Sequence, residues 1–151
     1  MPKVDYQERV IEAFEDGLNC AQIVLAVFAP RLGLDPDLAR RLTTGLGGGV
    51  ARMGGSCGAV AGAQLVLGLR FGASDGDRRA TEETYRRIAE FHRRFTARHG
   101  STVCRELLGL DMSDPQQHQE IMRRGLFLTV CPRMVEGAVS LLEELVAQLE
   151  E

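Results

Sequence analysis

Apolar residues recur every three to four positions along most of this chain, which is the period of one face of an α-helix. The first such segment covers 6–18, and Gly17 is placed to end it. Cys20 then opens an apolar run in which Asn19 can cap the helix, while Gln22 can complete a capping box. The pattern therefore predicts two consecutive helices at the start of the chain.

A third helix is predicted where Asp35 can act as the N-cap and Pro36 occupies the first turn, a position that needs no N–H donor. Leu38, Leu42 and Leu46 recur at helical spacing, and we expect them to form its apolar face.

Glycines dominate the next segment, 45–55, which is therefore expected to be a loop with positive φ angles. A helix should follow from Cys57, with Ser56 as its cap. Gly58 and Gly62 lie one turn apart on that helix, so a neighbouring helix can approach its backbone closely. This small-residue helix is predicted to be central.

Four further helices are predicted in the second half of the chain. The first is a long amphipathic helix over 78–98, whose apolar stripe contains Tyr85, Ile88, Phe91, His92 and Phe95. The second is a short helix with Cys104 as about its third residue behind the cap Ser101. The third runs from Asp114 to Met122, and the last begins at Thr129 or Cys131. No alternating strand pattern, linker or internal repeat interrupts them. The predicted fold is an all-α, compact single-domain multi-helix bundle over 1–151, with the Gly-rich loop preceding the central helix.

Charge and hydropathy remove several classes of function. The net charge of -3 and pI of about 5.7 argue against a nucleic-acid partner, which would favour a basic surplus. The N-terminus lacks the apolar core and cleavage site of a secretory signal, so we expect a cytoplasmic protein. The longest nearly apolar stretch, 57–69, is too short for a membrane span.

The candidate chemistry lies in four cysteines, Cys20, Cys57, Cys104 and Cys131, each placed near the start of a predicted helix. Helix N-termini favour the thiolate form, so lowered thiol pKa values are expected. Four converging thiolates would repel one another unless they bound a cation or cluster, or were oxidised in pairs. The sequence thus predicts one shared centre of redox thiols or metal ligands.

Known short cysteine motifs do not decide between these alternatives. The chain has no CxxC pair and no CxxCH motif for covalent haem. Zinc or iron held by four sulfurs, an iron–sulfur cluster, and a metal-free thiol–disulfide site all stay open. A structural or docking bundle with inert cysteines also stays open, since free cysteine is often simply buried.

The same residues resemble a known family. Four segments are similar to the C_GCAxxG_C_C family of proteins described as redox-active. They are NCAQ at 19–22, the Gly-rich loop leading to CGAVAG at 57–62, CRELLG at 104–109, and Cys131 before an apolar helix. The resemblance covers nearly the whole chain. It implies a metal or iron–sulfur centre held by the four cysteines, while the haem of split-Soret cytochromes, which share a related segment, is not implied.

The Gly-rich loop has two interpretations. It lacks the Lys-Ser or Lys-Thr pair of a P-loop, and Val50 occupies the third glycine position of a GxGxxG pattern, so no nucleotide cofactor is expected. We prefer the interpretation that Gly47, Gly48, Gly49 and Gly58 bring backbone N–H groups close to the sulfur site.

None of the three histidines pairs with a cysteine in the sequence. His92 is expected to be a satisfied core residue, whereas His99 and His118 lie in polar surroundings. The resulting hypothesis is an oxidoreductase or electron-transfer protein with an unidentified redox partner protein. The small-residue helix and the apolar last helix could also support a homodimer.

Overall fold

The protein folds through α-helices and two short 3₁₀ helices in the part that the computed structural model describes, namely the backbone of residues 3–147 and the side chains of residues 7–146. The helices are α1 (Lys3–Glu15), α2 (Cys20–Phe28), α3 (Pro36–Thr43), α4 (Gly58–Phe71), α5 (Arg78–His99), α6 (Cys104–Leu108), α7 (Pro115–Arg123), α8 (Leu126–Thr129) and α9 (Cys131–Ala147). An isolated bridge between Ser56 and Val103 is the sole β pairing within this range. The predicted all-α multi-helix fold is confirmed.

Side-chain caps define the starts of α2 and α3 as predicted. The side chain of Asn19 accepts the N–H of Gln22, and the side chain of Gln22 accepts the N–H of Asn19, both at 2.9 Å. Asp35 accepts the N–H of Leu38 at 3.0 Å. These bonds satisfy amides that have no partner within the helix, so local sequence fixes where both helices begin.

Helices α2 and α4 pack at the centre, and the glycines of α4 allow their close approach. A Cβ atom at Gly62 would lie 2.9 Å from the carbonyl oxygen of Ala21. A Cβ atom at Gly58 would lie 3.0 Å from Cβ of Cys20. Helix α4 also packs against α5 and α9, so the predicted central position of the small-residue helix is confirmed.

The expected apolar face of α3 is wrong. Leu38 and Leu42 are 43% and 56% exposed, whereas Ala39 and Thr43 are buried. The hydroxyl of Thr43 donates to the Ala39 carbonyl at 2.7 Å, which satisfies it inside the helix. Helix α3 therefore packs against α2 through its small side chains, because they permit a closer contact than leucines would.

The stripe of α5 differs from its prediction at one end. Phe91 and Phe95 are fully buried and stack with ring centroids 5.7 Å apart, but Tyr85 is exposed.

No single helix within residues 3–147 combines the length and hydropathy of a bilayer span; Pro115–Arg123 and Leu126–Val146 meet that criterion only as a pair bent by 56°.

Candidate functional site

The four cysteines line one cavity of about 820 Å³. All four side chains are buried, and none forms a disulfide. They reach the cavity from four separate helix starts, since Cys20, Cys104 and Cys131 are the first residues of α2, α6 and α9, and Cys57 is the N-cap of α4. The fold thus brings together thiols that are far apart in the sequence.

Two of these positions differ from the sequence predictions. Cys57 itself occupies the cap position predicted for Ser56, whose backbone instead pairs with Val103. Cys104 is the first rather than the third residue of its helix, and the hydroxyl of Ser101 accepts the N–H of Val103, the actual N-cap.

The Cys57 and Cys104 regions are joined through the backbone. The N–H of Cys57 donates to the carbonyl of Thr102 at 2.8 Å, and the N–H of Cys104 donates to the carbonyl of Gly55 at 2.6 Å. The guanidinium of Arg105 also donates to the carbonyl of Gly54 at 3.2 Å. These bonds hold the starts of α4 and α6 side by side.

Asn19 and Gln22 position the start of α2 in a way that the capping box alone does not reveal. Besides capping, Asn19 donates to the carbonyls of Thr43 and Thr44 at 3.3 and 3.0 Å, and Gln22 donates to the carbonyl of Arg40 at 3.1 Å. Both also line the cavity. Their second role was not visible in the sequence, because its acceptors are backbone groups of a distant segment.

The Gly-rich loop makes a left-handed turn over the site. All residues over 48–52 have positive φ, including the non-glycine residues Val50, Ala51 and Arg52 at 67°, 49° and 62°. The turn is closed by bonds from the N–H of Gly54 to the carbonyl of Gly48 and from that of Gly55 to Gly49, at 3.0 and 2.8 Å. A β-branched residue with positive φ is a rare and strained conformation.

This turn leaves backbone donors beside the cysteines. The N–H groups of Gly48, Gly49 and Val50 have no acceptor among the residues that the structure describes. Gly48 and Gly49 line the cavity, and so do Gly47 and Gly58. A Cβ atom at Gly49 would lie 2.7 Å from Cβ of Cys104, so the loop backbone lies directly against a cysteine. The glycines predicted to surround the sulfur site therefore do border it.

A family model described as "Putative redox-active protein (C_GCAxxG_C_C)" matches residues 18–145, which include all four cysteines. The chain belongs to the C_GCAxxG_C_C family. Comparisons with curated proteins and with solved structures give no match. The family is thus described as redox-active, and the description names no reaction or cofactor.

The thiols of this family member interact with one another electrostatically. Hydrogen-bonding contact with Cys131 is the main cause that raises the pKa of Cys20, and the same contact lowers the pKa of Cys131. Burial and the charges of the other three cysteines raise the pKa of Cys20 further. The pKa of Cys20 is therefore raised and that of Cys131 lowered, so that Cys131 favours the thiolate form and Cys20 the protonated form.

Burial dominates at the other two cysteines. It raises the pKa of Cys57 to about 11, although the amides of Ala59 and Val60 act in the opposite direction without completing a side-chain cap. Burial, followed by the charges of Cys57, Cys131 and Asp111, raises the pKa of Cys104 to about 12. The expected lowering of all four pKa values is wrong, because burial outweighs the helix ends at Cys57 and Cys104, and the contact with Cys131 together with burial outweighs the helix end at Cys20.

The C_GCAxxG_C_C site contains no preformed ligand group for a single ion in the described part of the chain. Across the described side chains, no group of three or more His, Cys, Asp or Glu residues is placed to hold one metal ion. The four cysteines nevertheless line one cavity.

The three histidines have different surroundings. His92 bonds through Nε2 to the side-chain oxygen of Gln64 at 2.7 Å, as expected of a satisfied core residue. His99 packs against the ring of Phe95, and its Nε2 is buried without a hydrogen-bond partner among the described residues. His118 lines the cavity, which the polar sequence around it did not indicate.

Proposed function

We propose that this protein carries one iron–sulfur cluster on Cys20, Cys57, Cys104 and Cys131 and transfers electrons to and from a redox partner protein. The observation that carries the proposal is the meeting of four buried thiols, from four helix starts, at one cavity. Four cysteines are the usual ligands of both [2Fe–2S] and [4Fe–4S] clusters, which supply reversible electron transfer when bound. The redox description of the family agrees with this chemistry.

The donor set fits a cluster better than a single ion. Zinc or iron held by four sulfurs at roughly 2.3 Å needs those sulfurs within about 4 Å of one another. No three potential ligands among the described residues are grouped for one ion, whereas a cluster accepts thiolates distributed around it. The volume of about 820 Å³ leaves room for such a group.

The chain's own residues would set the properties of the centre. N–H groups that donate to sulfur stabilise negative charge and raise the reduction potential. Gly48 and Gly49 offer two such donors at the cavity, and the amides of Ala59 and Val60 favour the thiolate of Cys57. The starts of the four helices add their positive ends at the cavity that the cysteines line. A reducing compartment such as the cytoplasm would keep the thiols available as ligands.

Anaerobic purification followed by iron and sulfide analysis tests this proposal. We expect iron and sulfide in whole-number ratios to protein, together with visible absorbance that changes on reduction. Each of the four single Cys→Ser variants should lose the iron while its far-ultraviolet circular dichroism stays helical. Iron-free protein after reconstitution with iron and sulfide would contradict the proposal.

A second candidate is a metal-free thiol–disulfide site at Cys20 and Cys131. Their hydrogen-bonding contact and opposite pKa shifts favour it, because a thiolate beside a protonated thiol is the usual reactive arrangement. Oxidation would form the Cys20–Cys131 S–S bond and break the S–S bond of a partner disulfide, which takes up the two electrons and two protons and becomes a dithiol.

The same cysteine variants separate the two candidates. A disulfide site predicts reversible loss of two thiols that Cys20→Ser and Cys131→Ser abolish. Cys57→Ser and Cys104→Ser then act as matched controls and retain that activity. A cluster predicts instead that all four substitutions have the same effect.

A further inference from the structure

The cavity is larger than a four-cysteine centre requires. Its volume of about 820 Å³ lies in the upper part of the range, roughly 300 to 1,000 Å³, that is typical of sites for organic ligands. Ligand sulfurs lie only about 2.3 Å from the metal that they bind, so a centre held by four cysteines stays close to their helix starts. The rest of the cavity is available to a second molecule.

The part of the lining that comes from α1, α7 and α8 and their ends is mostly apolar, with Glu15 and His118 as its polar side chains. Helix α8 packs against α1, α7 and α9, so the apolar residues of this part surround one region of the cavity. They are Phe14, Leu18, Met122, Phe127, Leu128 and Val130. None of them contributes to the sulfur chemistry.

Large apolar side chains also remain exposed at the mouth of this region. Met122 is 57% exposed and Leu128 is 42% exposed, and both line the cavity. The deeper wall includes the buried thioethers of Met112 and Met134. A ligand seated here would remove Met122 and Leu128 from water, which favours binding in proportion to the apolar area covered.

Charge and ring geometry indicate the class of ligand. The charged residues that line the cavity, Glu15 and Arg52, are both exposed, so the described interior offers no buried counter-charge. The rings of His118 and Phe127 meet edge to face with centroids 6.4 Å apart. Aromatic rings of a ligand would pack well against these rings and against methionine sulfur.

We propose that the apolar region of the cavity is a binding site for an uncharged, planar aromatic molecule. The site does not depend on the metal centre, because none of its apolar residues is a cysteine and its rings belong to α7 and α8. The imidazole of His118 provides a hydrogen bond for one polar atom of such a ligand.

Titration of metal-free, reduced protein with the uncharged fluorescent dye N-phenyl-1-naphthylamine tests the proposal. We expect saturable binding of one dye per chain with a rise in emission. Met122→Asp should weaken binding by at least about tenfold, because it places a charge where apolar surface would be covered. Met122→Leu should keep the affinity within about twofold, since it conserves volume and apolarity.

Leu42→Asp is the matched control, because Leu42 is 56% exposed on α3 and does not line the cavity. It should bind the dye like the unmodified protein. Absence of saturable binding, or equal effects of Met122→Asp and Leu42→Asp, would overturn the proposal. Stronger displacement of the dye by decanol than by 2-naphthol would overturn the aromatic class. Since the titration uses metal-free protein, its failure leaves the cluster proposal intact, and loss of the cluster leaves this one intact.

Discussion

Replacing Gly49 by alanine is the sharpest test of how the loop supports the cysteine site. Gly49 has a φ of +70°, and an added Cβ would lie 2.5 Å from the amide nitrogen of Gly55 and 2.7 Å from Cβ of Cys104. Both contacts are with groups that cannot rotate away. The first would also disturb the bond from the Gly55 N–H to the Gly49 carbonyl at 2.8 Å.

The cost of Gly49→Ala has two parts. A left-handed conformation costs a non-glycine residue about 1 to 2 kcal/mol. Displacing tightly packed neighbours typically adds about 1 to 3 kcal/mol. We therefore expect the free energy of unfolding to fall by about 2 to 5 kcal/mol. Because the Gly55 carbonyl accepts the N–H of Cys104, the displacement also moves a proposed ligand, and the protein should retain less iron after anaerobic reconstitution.

Gly45→Ala is the control in the same loop. Gly45 lies within the short 3₁₀ turn Thr44–Leu46 with a negative φ, and an added Cβ would meet nothing within 4 Å. Urea denaturation followed by circular dichroism should give a free energy of unfolding that is unchanged or higher by up to about 1 kcal/mol. Equal stability and iron content of the Gly49→Ala and Gly45→Ala proteins would refute the assigned role of the loop.

Two further predictions concern the thiols and the left-handed turn. The pKa of Cys57, about 11, lies above its ordinary value of 9, so its protonated thiol stabilises the metal-free fold fully below pH 9. That contribution, about 3 kcal/mol, is lost as the pH rises through 11, and a pH series of urea denaturation should show a decline that Cys57→Ala reduces. Ala51→Gly should raise the free energy of unfolding or leave it unchanged, because Ala51 is exposed with a φ of 49°. Ala89→Gly, at an exposed position inside α5, should lower it by about 1 kcal/mol, and equal losses in both variants would contradict the strain at Ala51.

The sequence was most informative where structure depends on neighbours in the chain. The capping box of Asn19 and Gln22 and the Asp35 cap fix helix starts through bonds spanning three residues, so they could be predicted. The inward face of α3 could not, because it depends on how closely α2 approaches Ala39 and Thr43 rather than on leucine spacing. His118 was missed for the same reason, since distant segments complete the cavity.

The thiol pKa values depend on two opposing effects, the helix N-terminus and burial, and the local sequence pattern predicts only the first. A helix N-terminus is worth about 0.3 to 1 kcal/mol toward an anion, and more where partly buried. At Cys57 the net effect has the opposite direction: burial, its largest cause, helps to raise the pKa from 9 to about 11, which corresponds to about 3 kcal/mol. Sequence position predicted the sign of the first effect, but the size of the second depends on the packed interior. A bound cation would reverse that balance, because it replaces the proton on each sulfur.

The left-handed turn combines backbone strain with amides at the cysteine cavity. Val50, Ala51 and Arg52 each adopt a conformation that costs about 1 to 2 kcal/mol, so the loop holds roughly 3 to 6 kcal/mol of strain. Glycines at these three positions would have relieved it, since Gly48 and Gly49 beside them already take the same conformation without that cost. The strain is balanced by the loop's bonds to itself and to Cys104. A path of this kind leaves the amides of Gly48 and Gly49 without an acceptor among the described residues, at the cavity that the four cysteines line, and an anionic metal–sulfur group bound there would stabilise such an arrangement.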